Sequence, residues 1–423
     1  MEGFTTKNNT LYADRIPLLD IAELGGTPSY VYSASIIRKQ FKALQEAFHT
    51  TLPADRQPLL CYACKANANI AILKILKSLG CGLEIVSEGE LFRGLKAGFQ
   101  GEKIISTSFG KNAQEIKACL RAEILQFNIE SPDELAHVNK YAGEMNKKAT
   151  VLFRLNPNVT GGGHSKISTG RKEDKFGNSA EDILALYKTA QEDMEHIEPC
   201  GVSIHIGSQV STVESFKPAF ERLAEIVNTL RAKGHTVSRL DIGGGFPIVY
   251  KDENLLNLKA YASWVNDIIV PLDTQIQMEP GRYMVGNAGV LLTRTLYIKR
   301  TKVKTFLVLD AGMNDLIRPT LYEAWHNIQP VSNLDREQVG YDVVGPICES
   351  GDIFAANRML PKVKENELVV LHTAGAYGFS MASNYNSRPF LAEIMVDGDN
   401  VSIIRNRQTL DEMTQGESIP AWL

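Results

Sequence analysis

Long apolar runs are missing from this sequence. No stretch reaches the ~20 consecutive apolar residues that a membrane-spanning helix needs, so no membrane partner is expected. The first residues, Met1 to Asp14, are polar and mixed in charge, which does not suit a signal peptide. Basic blocks are missing as well. The formal charge is −4, from 45 Lys and Arg against 49 Asp and Glu, which argues against nucleic acid as a partner. Cysteine is sparse: six residues, at 61, 64, 81, 119, 200 and 348 of 423, do not make a disulfide framework. Cys61 and Cys64 do form a C-x-x-C. Side chains three apart on a strand face opposite ways, however, so the pair cannot jointly grip a metal, and no metal site is expected. Internal repeats and low-complexity linkers are also absent. With 44% apolar and 22% charged residues, the composition is that of an ordinary globular protein, expected in the cytoplasm.

What is present is a regular alternation. At 423 residues the chain is too long for one ordinary core, so two domains are expected, one of which could be a TIM barrel. Short apolar runs occur at 59–64, 83–87, 103–107, 124–129, 149–155, 200–206, 238–242 and 275–279. Helical periodicity fills the gaps at 70–79, 88–97, 112–121, 132–142, 179–190, 214–233 and 254–269, with a further helix at 36–48. Continuous apolar strands alternating with helices predict parallel α/β architecture, and the count of eight favours a closed (β/α)8 TIM-like barrel over an open sheet. From about residue 286 the pattern turns to strands at 289–299, 305–310, 339–344, 368–373 and 391–396. These predict a second, β-rich domain of barrel or sandwich type. An early strand, Ser29 to Ser33, stands apart from the alternation and is expected to join it. The expected division is 1–36 with the β-domain, 37–285 as the barrel and 286–423 as the β-domain.

Barrel active sites lie at the C-terminal ends of the strands, often with phosphate held after strands seven and eight. The first strand ends in Tyr62-Ala-Cys-Lys-Ala-Asn67. A lysine there either snorkels its ammonium to water or serves as a Schiff-base nucleophile with a lowered pKa. The sixth strand ends in His205-Ile-Gly-Ser-Gln209, the seventh in Gly243-Gly-Gly-Phe246 and the eighth in Glu279-Pro-Gly-Arg282. Each has a plain reading by itself: a core histidine, a flexible turn, a local ion pair. Together they occupy one predicted rim, and the glycines let backbone N–H groups approach a phosphate closely.

Those motifs, with Arg318-Pro-Thr-Leu-Tyr322, Cys348-Glu-Ser-Gly-Asp352 and Gly375-Ala-Tyr-Gly378, run in order through nearly the whole chain. In them the sequence resembles the fold-type III pyridoxal-phosphate-dependent decarboxylases, on the branch that acts on meso-2,6-diaminopimelate. The resemblance implies pyridoxal 5'-phosphate as cofactor, bonded to Lys65. It implies that Glu279 meets the pyridine nitrogen and keeps the ring cationic, as an electron sink. His205 would stack on the ring, and Gly243, Gly244, Gly245, Gly281 and Arg282 would hold the phosphate, with Ser208 and the Tyr377 hydroxyl supporting. Glu84 and Glu90 match acidic positions near the lysine, and for Glu90 a helix-capping role is an equal alternative.

The resemblance implies a substrate end in the second domain. The segment Asp315 to Arg318 and Tyr322 match residues that recognise the distal amino-acid group, with Arg282 and Arg318 forking a carboxylate and Glu349 meeting an ammonium. Tyr377 belongs to this set too. Cys348 would reach the neighbouring subunit's cofactor and protonate the carbanion, making the enzyme a homodimer with shared sites. The implied activity is decarboxylation at the D-centre to L-lysine and CO2. The competing readings are a decarboxylase for ornithine or arginine, an amino-acid racemase, and a non-catalytic homologue.

Overall fold

The computed structural model describes residues 3–159 and 175–423. The chain forms two compact units, one of 38–284 and one assembled from both ends, 1–37 and 285–423. The first is a closed barrel of eight parallel strands in sequence order, from Leu59–Ala63 through Gly82–Ile85, Ile104–Thr107, Gln126–Ile129, Ala149–Leu155, Ile197–Ile204 and Arg239–Asp241 to Gln275–Met278. Closure comes where the eighth strand pairs with the first, Met278 opposite Leu60. Continuous apolar runs form these strands because both faces are covered: Val151, Leu152 and Phe153 have no exposed surface. Phe153 packs its ring 5.2 Å from that of Tyr187 on the outer helix Ala180–Asp193.

Short polar side chains start most of the outer helices; Lys217–Ala232, which follows Phe216, has no such cap. Asn69, Ser87, Asn112, Ser131 and Ser179 each accept a backbone N–H of the first turn. Asn112 with Glu115, and Ser179 with Asp182, complete reciprocal capping boxes. Of these caps, Asn69 ends the loop that carries Lys65. The helix expected over 254–269 is shorter: Asn257 caps it, it runs Leu258–Trp264, and it widens into a π turn over Val265–Ile269.

The second unit is built on a nine-stranded sheet around the long strand Gly289–Arg300, which pairs with Thr305–Leu309, with Leu368–Leu371 and with Ser29–Ser33. The early strand Ser29–Ser33 sits between Gly289–Arg300 and Ala392–Asp397, antiparallel to one and parallel to the other. All five of its residues are buried. The N-terminal region holds more than the one strand expected of it. Phe4–Lys7, Thr10–Ala13 and Ile16–Pro17 form a three-stranded meander, followed by the helix Leu18–Gly25. Strands Ile328–Pro330, Ile353–Pro361 and Asn400–Arg405 also lie outside the expected set. Among the described residues no helix is long and apolar enough to cross a membrane.

Candidate active site

Hydrogen bonds between neighbouring strand ends draw the barrel residues singled out above onto one rim. Ala63 N–H donates to the Pro280 carbonyl at 3.1 Å, which ties the Lys65 turn to Glu279–Arg282. Glu279 N–H donates to the Gly243 carbonyl at 2.8 Å, and Gly244 N–H donates to His205 Nδ1 at 3.2 Å. The loops after strands six and seven are clamped by Gln209, whose amide exchanges two bonds with the Ile248 backbone at 2.9 and 3.0 Å. Lys65, His205, the glycine turn, Glu279 and Arg282 therefore form a continuous arc.

Lys65 lies in the single 3-10 turn Cys64–Ala66 that follows the first strand. Its Nζ donates to both oxygens of Glu84, at 2.9 and 3.0 Å. The lysine side chain is 39% exposed while that of Glu84 is 0% exposed. An accessible amine thus sits on a fully buried carboxyl, whose pKa burial raises to about 8 even with the lysine pulling it down. Glu90, the other acid weighed for this place, accepts from Val86 N–H at 2.8 Å, while Ser87 caps its own N–H. That is the helix-start role.

Beneath the rim lies a polar layer that the sequence did not announce. Glu279 Oε1 accepts from the Thr107 hydroxyl at 2.7 Å and from Asn128 Nδ2 at 3.3 Å. The same Asn128 amide donates to Asp241 Oδ2 at 2.9 Å, and Asp241 Oδ1 accepts from Gly243 N–H at 2.9 Å. Burial first, and then the charge of Glu279, hold the Asp241 carboxyl well above its ordinary range. Two buried carboxyls flanking one amide hold one negative charge more easily than two. The signal that could have revealed this layer is a polar residue inside a strand, as in Gln126-Phe-Asn-Ile129.

The glycine turn is closed on its protein side. A Cβ on Gly243, at φ +71°, would stand 2.4 Å from the Ile204 carbonyl oxygen, and one on Gly244 would stand 2.1 Å from that of Glu279. A Cβ on Gly245, at φ +97°, would meet the Gly207 carbonyl oxygen at 2.5 Å, and one on Gly281 would meet Ala63 Cβ at 2.9 Å. Only glycine lets these strand ends approach so closely. Arg282, 7% exposed, donates from Nε and Nη2 to the Ser208 hydroxyl at 3.4 and 3.3 Å and from Nη1 to the Tyr250 hydroxyl at 2.7 Å. Tyr250, on the loop after strand seven, carried no motif that would single it out.

His205 is held as a neutral ring. Burial, helped by the charges of Arg154 and Lys65, drives its pKa well below the usual value. Because Nδ1 accepts the Gly244 N–H, the ring proton belongs on Nε2. The C-x-x-C pair is inert. Cys61 ends buried in the strand and Cys64 just past it, and burial raises both thiols.

In the second unit, Arg318 opens the short helix Arg318–Tyr322 and is 6% exposed. Asp315 is turned inward: it accepts from Gly312 N–H at 2.9 Å and from the Asn314 amide at 3.0 Å. Burial lifts its carboxyl to about 6. It builds the turn that carries Arg318. Cys348 and Glu349 lie exposed on a loop, with Cys348 N–H donating to Asn386 Oδ1 at 2.9 Å. Tyr377 sits half-buried at φ +56°.

The family described as "Pyridoxal-dependent decarboxylase, pyridoxal binding domain" matches residues 34–286. The chain is 42% identical to a diaminopimelate decarboxylase of Pseudomonas aeruginosa, over 99% of each chain. It is 43% identical to one of Neisseria meningitidis, over 96% of this chain and 97% of the relative. Among solved structures it is similar to diaminopimelate decarboxylase from M. jannaschi, with a TM-score of 0.94 at 34% identity over 100% of this chain and 99% of that one. The enzyme from Helicobacter pylori, solved complexed with L-lysine, superposes with a TM-score of 0.89 at 38% identity, covering 94% and 98%.

Proposed function

Because this chain belongs to the pyridoxal-dependent decarboxylase family, among its diaminopimelate decarboxylases, we propose that it removes the D-centre carboxylate of meso-2,6-diaminopimelate as CO2 and releases L-lysine. The observation that carries this reading is the gathering of Lys65, His205, the glycine turn, Glu279 and Arg282 on one barrel rim.

The donor set fits pyridoxal 5'-phosphate: an accessible amine, a buried carboxylate in a hydrogen-bonded layer, and a buried arginine beside a turn that only glycine can make. Lys65 would hold its aldehyde, Glu279 its ring nitrogen, and Gly243, Gly244, Gly245, Gly281, Arg282 and Ser208 its phosphate. When bound, the protonated ring supplies an electron sink for the electron pair left by the departing CO2.

The chain's own groups do the rest. Thr107 and Asn128 keep the Glu279 carboxylate aimed and hydrogen-bonded, so that it can hold a proton on a partner nitrogen. His205, neutral and fixed by Gly244, offers a flat face without adding a cation. Arg282, with Arg318, forks carboxylate. Tyr322, Glu349 and Tyr377 complete recognition of the retained amino-acid end. The Cys348 thiol delivers the proton to Cα. Its exposure, with that of Glu349, supports a homodimer in which these two residues serve the partner's site. Free thiols throughout support a cytoplasmic enzyme.

The test is a product assay. Incubation of the cofactor-loaded enzyme with meso-2,6-diaminopimelate releases CO2 and L-lysine in equal amounts. CO2 from ornithine or arginine, with none from the diamino diacid, overturns the assignment.

A further inference from the structure

The helix that carries Arg318 is five residues long and cannot by itself fix a long side chain. Something else must hold the guanidinium, and the sheet register supplies it. Strand Ile328–Pro330 runs antiparallel to Leu368–Leu371, with Ile328 opposite Leu371. The pairing continues one step, as His372 N–H donates to the Asn327 carbonyl at 2.8 Å. This sets the His326 ring between two groups. Its Nδ1 lies 2.8 Å from the His372 carbonyl oxygen, and its Nε2 lies 2.9 Å from Arg318 Nη1.

A carbonyl oxygen only accepts and a guanidinium only donates. The proton is therefore on Nδ1 and the lone pair on Nε2, and both neighbours demand the same neutral tautomer. His326 is 0% exposed, so water does not compete for either bond. Its backbone is pinned from the other side as well. Arg358 Nη1 donates to the His326 carbonyl at 2.9 Å, and the Arg358 guanidinium carbon lies 3.3 Å from the Trp325 ring centroid.

A carboxylate in place of His326 would orient Arg318 equally well, but it would cancel the arginine's charge. A neutral imidazole acceptor orients the fork and leaves its positive charge for an incoming anion. We propose that His326 is a positioning residue, holding the Arg318 guanidinium in the orientation in which it takes the retained carboxylate of the substrate. The inference rests on the functional reading above and names a residue that acts through Arg318.

The test compares His326→Leu, which removes the acceptor, with His326→Gln, whose Oε1 can replace Nε2. In the cofactor-loaded enzyme His326→Leu raises KM for meso-2,6-diaminopimelate about tenfold and weakens inhibition by L-lysine in parallel, while kcat stays within about threefold. His326→Gln brings KM back to within about threefold of wild type. The visible absorbance of the bound cofactor is the same in all three. An unchanged KM in His326→Leu, or a loss confined to kcat or to cofactor absorbance, overturns the proposal. Should His326→Leu fail to fold, His326→Asn, whose amide is too short to reach Arg318, carries the same expectation. Wild-type enzyme inactive on the diamino diacid would instead overturn the functional reading, which separates the two failures.

Discussion

Lys65 Nζ stands 2.9 Å from Glu84 Oε1, joining an amine that solvent can reach to a carboxylate that it cannot. Burial raises the Glu84 pKa from 4.5 to about 8 in the folded chain. A group whose folded pKa is raised contributes stability that is fully present below its unfolded value and is lost as pH rises through the folded one. Glu84→Gln cannot ionise and escapes that loss. In cofactor-free protein, the melting temperature of the variant minus that of wild type therefore grows between about pH 5 and pH 8. Thermal melts across that range check it, and a difference that shrinks with pH contradicts it.

Asn128 is 1% exposed and bridges Asp241 and Glu279. Asn128→Asp puts a third carboxyl where two already crowd and removes the amide donor that bridges them. The expected loss is about 3 kcal/mol or more, read by urea unfolding. A loss under about 1 kcal/mol would mean that the layer tolerates charge it has no means to pair.

Gly80 and Gly244 separate backbone conformation from close approach. Gly80 has φ +86° and nothing within 4 Å of a built Cβ. Gly80→Ala costs only the left-handed strain of about 1–2 kcal/mol, and activity is kept. Gly244→Ala must push aside the Glu279 carbonyl, which costs about 1–3 kcal/mol and weakens cofactor retention. Chemical unfolding and cofactor titration of the two variants, side by side, decide the matter.

Tyr250 supplies the 2.7 Å acceptor for Arg282 Nη1. Tyr250→Phe removes the hydroxyl that accepts from the arginine and keeps the ring. Cofactor Kd rises about fivefold by equilibrium dialysis, in line with one such bond. An unchanged Kd would show that Ser208 alone aims Arg282.

Lys65→Ala and Cys348→Ala are each expected to be inactive. If sites are shared between subunits, mixing the two restores about a quarter of wild-type activity, because half of randomly paired dimers hold one intact site. No recovery after verified subunit exchange contradicts shared sites.

The barrel was readable because most of its strands carry short apolar runs, as Val151-Leu-Phe153 does, although the burial of Arg154 beside them depends on its distant partner Glu130. Lys65, the glycines and Glu279 stand at strand ends, where position alone carries meaning. The N-terminal meander was not legible because its strands are four residues or fewer, too short to show an alternation, and the first is mostly polar. Asn8 and Asn9, both at positive φ, are the hairpin signal that could have revealed it. Strand Ile353–Pro361 hides behind Ala-Ala-Asn-Arg, where edge exposure relaxes the apolar pattern. Tyr250 and His326 were illegible for another reason. Each acts on an arginine brought near by strand register, and neither sits in a local pattern that records its partner.

The strand Ser29–Ser33 has a consequence in time. It is made before any barrel strand, yet both of its neighbours in the sheet, Gly289–Arg300 and Ala392–Asp397, are made hundreds of residues later. A ribosome releasing this chain exposes a complete set of barrel strands by Met278, while Tyr30, Val31 and Tyr32 still wait without their sheet. The barrel is therefore the unit that can fold first during synthesis, and the sheet can close only once Ala392–Asp397 has also emerged.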